Sequence, residues 1–249
     1  MFDNLKILWH QGKQYIPDVT TAKLPGIFRG RPVISDVLTD ESQLAELCPT
    51  NAISVGPASI DLGKCTFCGE CAVQFPDKIS FTKEYKLSTN ERERLIVKEG
   101  DDRRIEVNPE LIRSEIHRLF GRSLKLRQVS AGGDNSCEWE LNATNNVQFD
   151  ISRFGIDFVA SPRHADGIVI TGPITVNMAE PLERCYNAVP DPKIIILAGT
   201  DAISGGIFAD SPAINRDFLS NHKVDLYVPG NPVHPLTFIN GVLNLLKKR

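Results

Sequence analysis

Cys65-Thr66-Phe67-Cys68-Gly69-Glu70-Cys71 sets three thiols at C-x2-C-x2-C spacing. A tight loop of that spacing points three thiolates at three irons of one 4Fe-4S cubane. The fourth ligand comes from elsewhere, in many proteins from a Cys-Pro pair. Cys48-Pro49 is such a pair. Cys48, Cys65, Cys68 and Cys71 are therefore the candidate cofactor-binding and metal-ligating residues, and the chemistry they imply is one-electron transfer. Zinc is the weaker reading, because zinc motifs usually pair two C-x2-C units. A disulfide framework is weaker still: six cysteines in 249 residues, with no apolar secretory segment after Met1, suggest a reducing compartment. No residue stands out as catalytic.

Those cysteines need a scaffold. Short strands are expected at Ala52 to Val55, Ser59 to Leu62, Ile79 to Thr82 and Leu95 to Lys98, with a helix at Glu41 to Leu47, an α+β unit over residues 41–107. Ile53, Ile60, Phe67 and Phe81 are its candidates for shielding a cluster. Before it, residues 1–40 carry Pro17, Pro25 and Pro32 with little periodicity and read as an extended arm, with disorder as the alternative. Asn108-Pro109-Glu110 is a helix start, and Leu111, Ile112, Ile116, Leu119 and Phe120 recur at helical spacing up to Gly121, predicting a linker helix over 108–121.

Around the cysteines the residues form a longer pattern: Cys48-Pro-Thr-Asn-Ala-Ile, then Ile60-Asp-Leu-Gly-Lys-Cys65, then Ile79-Ser-Phe-Thr-Lys-Glu-Tyr-Lys-Leu. Over roughly residues 25–100 this resembles the polyferredoxin-type subunit of formate hydrogenlyase and complex I, which implies a ferredoxin-like domain. The departure is one cluster instead of two. Phe75-Pro76 stands where a second Cys-Pro pair would fall, and no cysteine precedes Cys48.

Residues 122–249 alternate β-rich runs with helix-length segments: Leu124 to Val129, Ile156 to Ala160, Gly167 to Thr171, Lys193 to Ala198 and Val224 to Val228. The expected product is an α/β, flavodoxin-like domain with a mostly parallel sheet, closed by an amphipathic helix from Pro235 towards Lys247, Lys248 and Arg249. Three turn segments follow the runs: Gly132-Gly-Asp134-Asn-Ser-Cys137, Ala198-Gly-Thr-Asp201 and Val228-Pro-Gly-Asn231. In such a sheet they converge at the carboxyl edge, where ligands bind.

With Phe154 to Asp166 and Ala188 to Lys193, these segments resemble the small subunit of group 4 nickel-iron hydrogenases and its complex I counterpart, over about residues 121–249. That resemblance implies a further 4Fe-4S cluster held by four cysteines, whose matching positions here are Asp134, Cys137, Asp201 and Asn231. One thiolate, two carboxylates and an amide are hard donors, ill suited to a cubane. The simplest reading is that they hold the loops together. Glu138 and Glu140 read as solvated helix faces, Cys185 as a small buried apolar residue, and Arg163, His164 and His234 as structural loop residues.

Bulk composition narrows the partners. With 41% hydrophobic and 24% charged residues the chain should fold, and a net charge of −3 gives no global attraction to nucleic acid or anionic membranes. The densest basic stretch, Arg113 to Arg127, lacks interleaved aromatics, so a solvated face or subunit contact is favoured over nucleic acid. No apolar run reaches the length of a membrane helix. The expectation is a cytoplasmic electron-transfer subunit with one 4Fe-4S cluster. Its partners would be a hydrogenase large-subunit-like protein and other subunits of a redox complex, and it would meet the membrane only through them. Two alternatives stand beside it: an assembly subunit whose cluster only stabilises the fold, and an oxidoreductase binding a flavin or nucleotide near Gly205-Gly206.

Overall fold

The computed structural model describes residues 2–12 and 14–248; Met1, Lys13 and Arg249, the last of these the end of the expected basic tail, lie outside the described residues. In chain order the elements are α1 (Phe2–Gln11), β1 (Pro32–Ile34), α2 (Glu41–Glu46), β2 (Ile53–Ser54), β3 (Ser59–Asp61), α3 (Glu70–Gln74), β4 (Ile79–Phe81) and β5 (Ile96–Lys98). There follow α4 (Ser114–Phe120), β6 (Leu124–Ser130), α5 (Ser136–Ala143), β7 (Ile156–Phe158), β8 (Gly167–Thr171), α6 (Val176–Ala188), β9 (Ile194–Ala198), α7 (Thr200–Ser204), α8 (Asp217–Asn221), β10 (Leu226–Val228) and α9 (Pro235–Leu245).

The second half forms a five-stranded sheet in the order β10-β9-β8-β6-β7, every pair parallel. Numbered within this half, that is the doubly wound order 2-1-3-4-5, whose ligand crevice lies where neighbouring connections diverge, here between β6 and β8. Because both faces are covered, β8 and β9 are buried along their whole length and read as continuous apolar runs. Ile194, Ile196 and Val169 face α4, α5 and α9, whereas Ile195, Leu197, Ile168 and Ile170 face the opposite layer. Phe238 of α9 is fully buried and stacks on Phe158 at 6.0 Å.

The first half builds two small antiparallel sheets, β1-β4 and β2-β3-β5. It shares its core with the parallel sheet: Ile60, Leu62, Leu95 and Val97 belong to one cluster with Ile168, Leu197, Ala202 and Ile203. Backbone bonds join Thr89 to Tyr227 in both directions (3.1 and 2.8 Å), and Ser88 Oγ donates to the Thr237 carbonyl at 2.9 Å.

Two local expectations change. The N-terminal segment is not extended throughout: Phe2–Gln11 is helical, with no glycine or proline to break it and Asp3 in its first turn. Beyond Lys13 the chain crosses the body in bends and turns, held where Tyr85 Oη donates to the Val19 carbonyl at 2.8 Å and Asn240 Nδ2 to the same oxygen at 2.6 Å. The linker is not one helix either. Asn108 caps a single turn at Pro109–Leu111, then Ile112 and Arg113 are extended before α4 begins. The break frees the Arg113 guanidinium to reach the Lys193 carbonyl (2.5 Å) and the buried Asp225 carboxylate (3.2 Å), a long-range gain that outweighs helical continuity.

Candidate functional site

Each candidate cysteine is held by local geometry that the sequence supplies. Asp40 caps α2, its Oδ1 accepting from Ser42 and Gln43 N–H at 3.1 and 3.2 Å, and the helix closes at Leu47, just before Cys48-Pro49. Asn51, at φ +50°, turns the chain back, and the Ala52 N–H donates to Cys48 Sγ at 3.2 Å. Beyond β3, Asp61 Oδ1 accepts the Gly63 N–H at 2.8 Å and the Asp61 carboxylate takes both Arg92 guanidinium nitrogens, at 2.8 and 2.6 Å. This clamp sets the entry to the Cys65 loop. Phe67 then turns at φ +55°, aiming its N–H at Cys65 Sγ across 3.3 Å. Gly69, at φ +81°, starts α3, which carries Cys71; a side chain there would collide with Arg29 Nε at 2.5 Å.

Cys48, Cys65, Cys68 and Cys71 line one narrow pocket, together with Ile53, Ile60 and Phe81. Phe67 packs against the same core and lies 6.4 Å, ring to ring, from Phe81. Burial pushes the Cys65 thiol up to about 12 and that of Cys71 up to about 11, and the charges of the other cysteines add to the burial cost. Four soft donors, two N–H···S bonds and apolar walls fit an iron–sulfur core, whose positive charge would offset that cost. Among the described residues, no three His, Cys, Asp or Glu side chains converge on a point to hold a single metal ion. A cubane sets no such demand, since it takes one thiolate at each of four separate irons.

The cysteine loop is docked on the parallel sheet. Thr200 Oγ1, in the turn after β9, donates to the Cys65 carbonyl at 2.8 Å. A side chain at Gly63 would meet Ile203 Cγ2 at 2.8 Å. Thr200 lies inside a turn segment already prominent in the sequence, but its bond to a residue 135 positions away has no local signature.

Of the second constellation, Asp134, Cys137 and Asp201 come together at the carboxyl edge, yet they do not fit a cluster. Asp134 Oδ1 is committed to the Ser136 N–H (2.9 Å) and hydroxyl (2.6 Å), which hold its carboxyl below the ordinary range. Cys137 is buried, its thiol pushed up to about 12 by desolvation, and Gly199 (φ +103°) abuts its sulfur so closely that a side chain there would stand 2.5 Å away. Asp201 is buried with Oδ1 unpartnered; burial first, then the charges of Asp134 and Glu138, push its carboxyl up to about 6. Asn231 lines a different cavity with Phe28, Phe67 and His234. One thiol among two carboxylates and an amide is a mostly hard donor set, ill suited to an iron–sulfur cubane.

Glu138 corrects the sequence expectation. It is 5% exposed rather than solvated, and its Oε1 accepts from Ser130 Oγ and Thr171 Oγ1, both at 2.6 Å. The helix α5 that carries it has its buried residues Cys137, Glu138 and Leu141 turned to the sheet, where two strand hydroxyls satisfy the acid. Glu140 is partly buried and its carboxyl raised by that burial. His234 is structural: its Nδ1 caps α9 by accepting the Leu236 N–H at 3.2 Å, Phe28 meets its ring edge-on at 5.2 Å, and burial pushes it down to about 4. Gly205 and Gly206 form a tight left-handed turn with Gly206 pressed on Asp201 Oδ1, a packing role rather than a phosphate cradle.

Residues 135–245 match the family described as NADH ubiquinone oxidoreductase, 20 Kd subunit. The chain is 36% identical over 135 residues to the probable membrane-bound hydrogenase subunit mbhJ of Pyrococcus furiosus, an alignment covering 54% of this chain and 81% of that protein. It is 38% identical over 141 residues to formate hydrogenlyase subunit 7 of Escherichia coli, covering 55% of each. With an NADH-quinone oxidoreductase subunit of Heliobacterium modesticaldum it shares 43% identity over 113 residues, 45% of this chain and 65% of that protein.

Proposed function

The chain belongs to the family of the NADH ubiquinone oxidoreductase 20 Kd subunit, and from that premise we propose that it is an iron–sulfur electron-transfer subunit of a membrane-associated hydrogenase-like or complex I-like oxidoreductase. In this reading a ferredoxin-like unit precedes the family domain and carries a single 4Fe-4S cluster on Cys48, Cys65, Cys68 and Cys71. The observation that carries it is the lining of one apolar pocket by those four cysteines, three of them at C-x2-C-x2-C spacing along the chain.

A bound cubane supplies a centre that accepts and releases one electron. The protein's part is to set that centre's surroundings. Ile53, Ile60 and Phe81 keep water from the pocket, while the Ala52 and Phe67 N–H groups direct positive dipoles at Cys48 and Cys65, which favours the more negative, reduced state. Thr200 fixes the loop to the sheet's carboxyl edge. The chain itself performs no bond chemistry.

Exposed Trp139, Val176, Ile207 and Phe208 lie on elements that begin at that edge and supply the apolar contact a large-subunit-like partner would cover. No helix among the described residues is long and apolar enough to cross a membrane. Membrane association in this reading is peripheral, on the cytoplasmic face, and through partner subunits.

Iron and acid-labile sulfide per chain, with EPR of the dithionite-reduced, anaerobically purified protein, test the proposal. About four of each and one S = 1/2 signal support it. About eight of each would return a cluster to Asp134, Cys137, Asp201 and Asn231. None would favour a second reading, an assembly subunit, to which the unsuitable donor set at the carboxyl edge already lends support.

A further inference from the structure

Asp201 stands at a charged crossroads with its own charge unanswered. It follows Thr200, the residue bonded to the Cys65 carbonyl, in the first turn of the short helix α7 that packs on the Gly63 to Cys65 loop through Ile203. Its Oδ1 is buried and has no hydrogen-bond partner. The groups that face it are Asp134 and Glu138, which repel its ionised form, and the buried Cys137. The cation on the neighbouring element, Arg216, directs its guanidinium at the backbone carbonyls of Pro173, Asp201, Ala202 and Ile203 rather than at the carboxylate, and the charge of Arg92 bears on Arg216 in turn.

Asp134 and Glu138, by contrast, have hydrogen-bond donors. Two donors of Ser136 hold the first ionised, and two hydroxyls satisfy Oε1 of the second. Of the three acids, Asp201 alone keeps a bare buried oxygen, and its pKa of about 6 lies close to neutrality. An electron added nearby in a medium of low dielectric disfavours a carboxylate further. By reciprocity, a proton on that carboxylate favours the electron.

We propose that Asp201 takes up a proton as the cluster held by Cys48, Cys65, Cys68 and Cys71 takes up an electron, so that reduction adds no net charge to the buried edge. The inference rests on the cluster assignment above. One electron from a low-potential donor enters the cluster, one proton from solvent forms the O–H bond on Asp201, and reoxidation returns both; no other bond changes. Asp201 acts through the field it shares with the cluster and is a positioning residue, not a ligand.

The test is an EPR-monitored redox titration of the full chain from about pH 5 to about pH 9. Below about 6 Asp201 is protonated in both redox states and the midpoint potential is flat. As pH rises above that value the potential falls, because each electron then brings a proton with it. In Asp201→Asn the potential is flat throughout, and Asp201→Ser serves if the first variant does not fold. Asp210→Asn, at an exposed acid, keeps the wild-type slope. A flat wild-type profile with an intact signal, or an unchanged slope in both Asp201 variants, overturns the proposal and leaves the cluster assignment standing. Absence of any cluster signal overturns both.

Discussion

Thr200 Oγ1 donates to the Cys65 carbonyl across 2.8 Å and also lies 3.2 Å from the Gly230 carbonyl, tying the cysteine loop to two turns of the parallel sheet at a buried point. The two halves of the chain are thereby joined at the place where each presents its candidate chemistry. Replacing Thr200 by Val keeps the shape and leaves the Cys65 carbonyl without that partner. The expected cost is about 1–3 kcal/mol in urea denaturation, with faster loss of iron under chelator. Unchanged stability and iron retention would mean that the bond does not hold the loop.

Cys68→Ser is expected to abolish or greatly weaken the cluster signal, although Cys68 is exposed and contributes little to packing. Cys185→Ser and Cys137→Ser should leave iron per chain unchanged, the first because Cys185 lies on α6 away from the pocket, the second because Cys137 has no partner ligands. Equal iron loss in all three would overturn the ligand assignment.

Asp201 makes stability depend on pH in a definite sense. Its folded pKa, about 6, lies above the ordinary 3.8. Between those values the unfolded chain holds fewer protons than the fold, so stability falls as pH rises through that window. Asp201→Asn should remove the loss: the variant gains on the wild type from about pH 4 to about pH 7 and holds a constant margin above. Denaturation midpoints at four pH values check it, and a margin that does not grow with pH refutes it.

His234 has the opposite sign. Burial holds its pKa at about 4 against an ordinary 6.5, so the stability it confers is complete above 6.5 and drains away as pH falls towards 4. His234→Asn keeps a cap acceptor for the Leu236 N–H and should flatten acid unfolding over that window. An acid-unfolding curve as steep as the wild type's would show that other groups dominate.

Phe238→Ala removes a fully buried ring stacked on Phe158 beneath the sheet and should cost about 3–5 kcal/mol. Because the cysteine pocket is lined from a different cluster of the core, cluster EPR measured below the unfolding transition should be unchanged in line shape. A changed line shape would mean that the two core clusters are coupled more tightly than their residues suggest.

What the sequence determined by itself is local. Cys48-Pro49 and the C-x2-C-x2-C run announce a ligand set because spacing along a tight loop sets the direction of each thiolate. The runs Gly167 to Thr171 and Lys193 to Ala198 announce buried parallel strands because a strand covered on both faces has no polar side to alternate. The helix from Pro235 is legible for the same reason, since periodicity acts within a few residues, but it is buried on nearly every face instead of amphipathic, and its cap at His234 shows only in the fold. Asp134, Asp201 and Asn231 each lie in a turn that follows a β-rich run, with Cys137 just beyond the first of them, which puts these positions near the carboxyl edge of any parallel sheet.

What the tertiary structure decided is everything that depends on contact across long stretches of chain. Glu138 is buried because Ser130 and Thr171, on two different strands, offer it hydroxyls. The linker breaks at Arg113 because Asp225 lies more than a hundred residues on. Asp201 is a raised acid rather than an ordinary one because the fold removes water from Oδ1 and faces it with two other carboxylates. Burial and charge at a point are sums over neighbours that the sequence does not make adjacent, and only the folded chain carries out that sum.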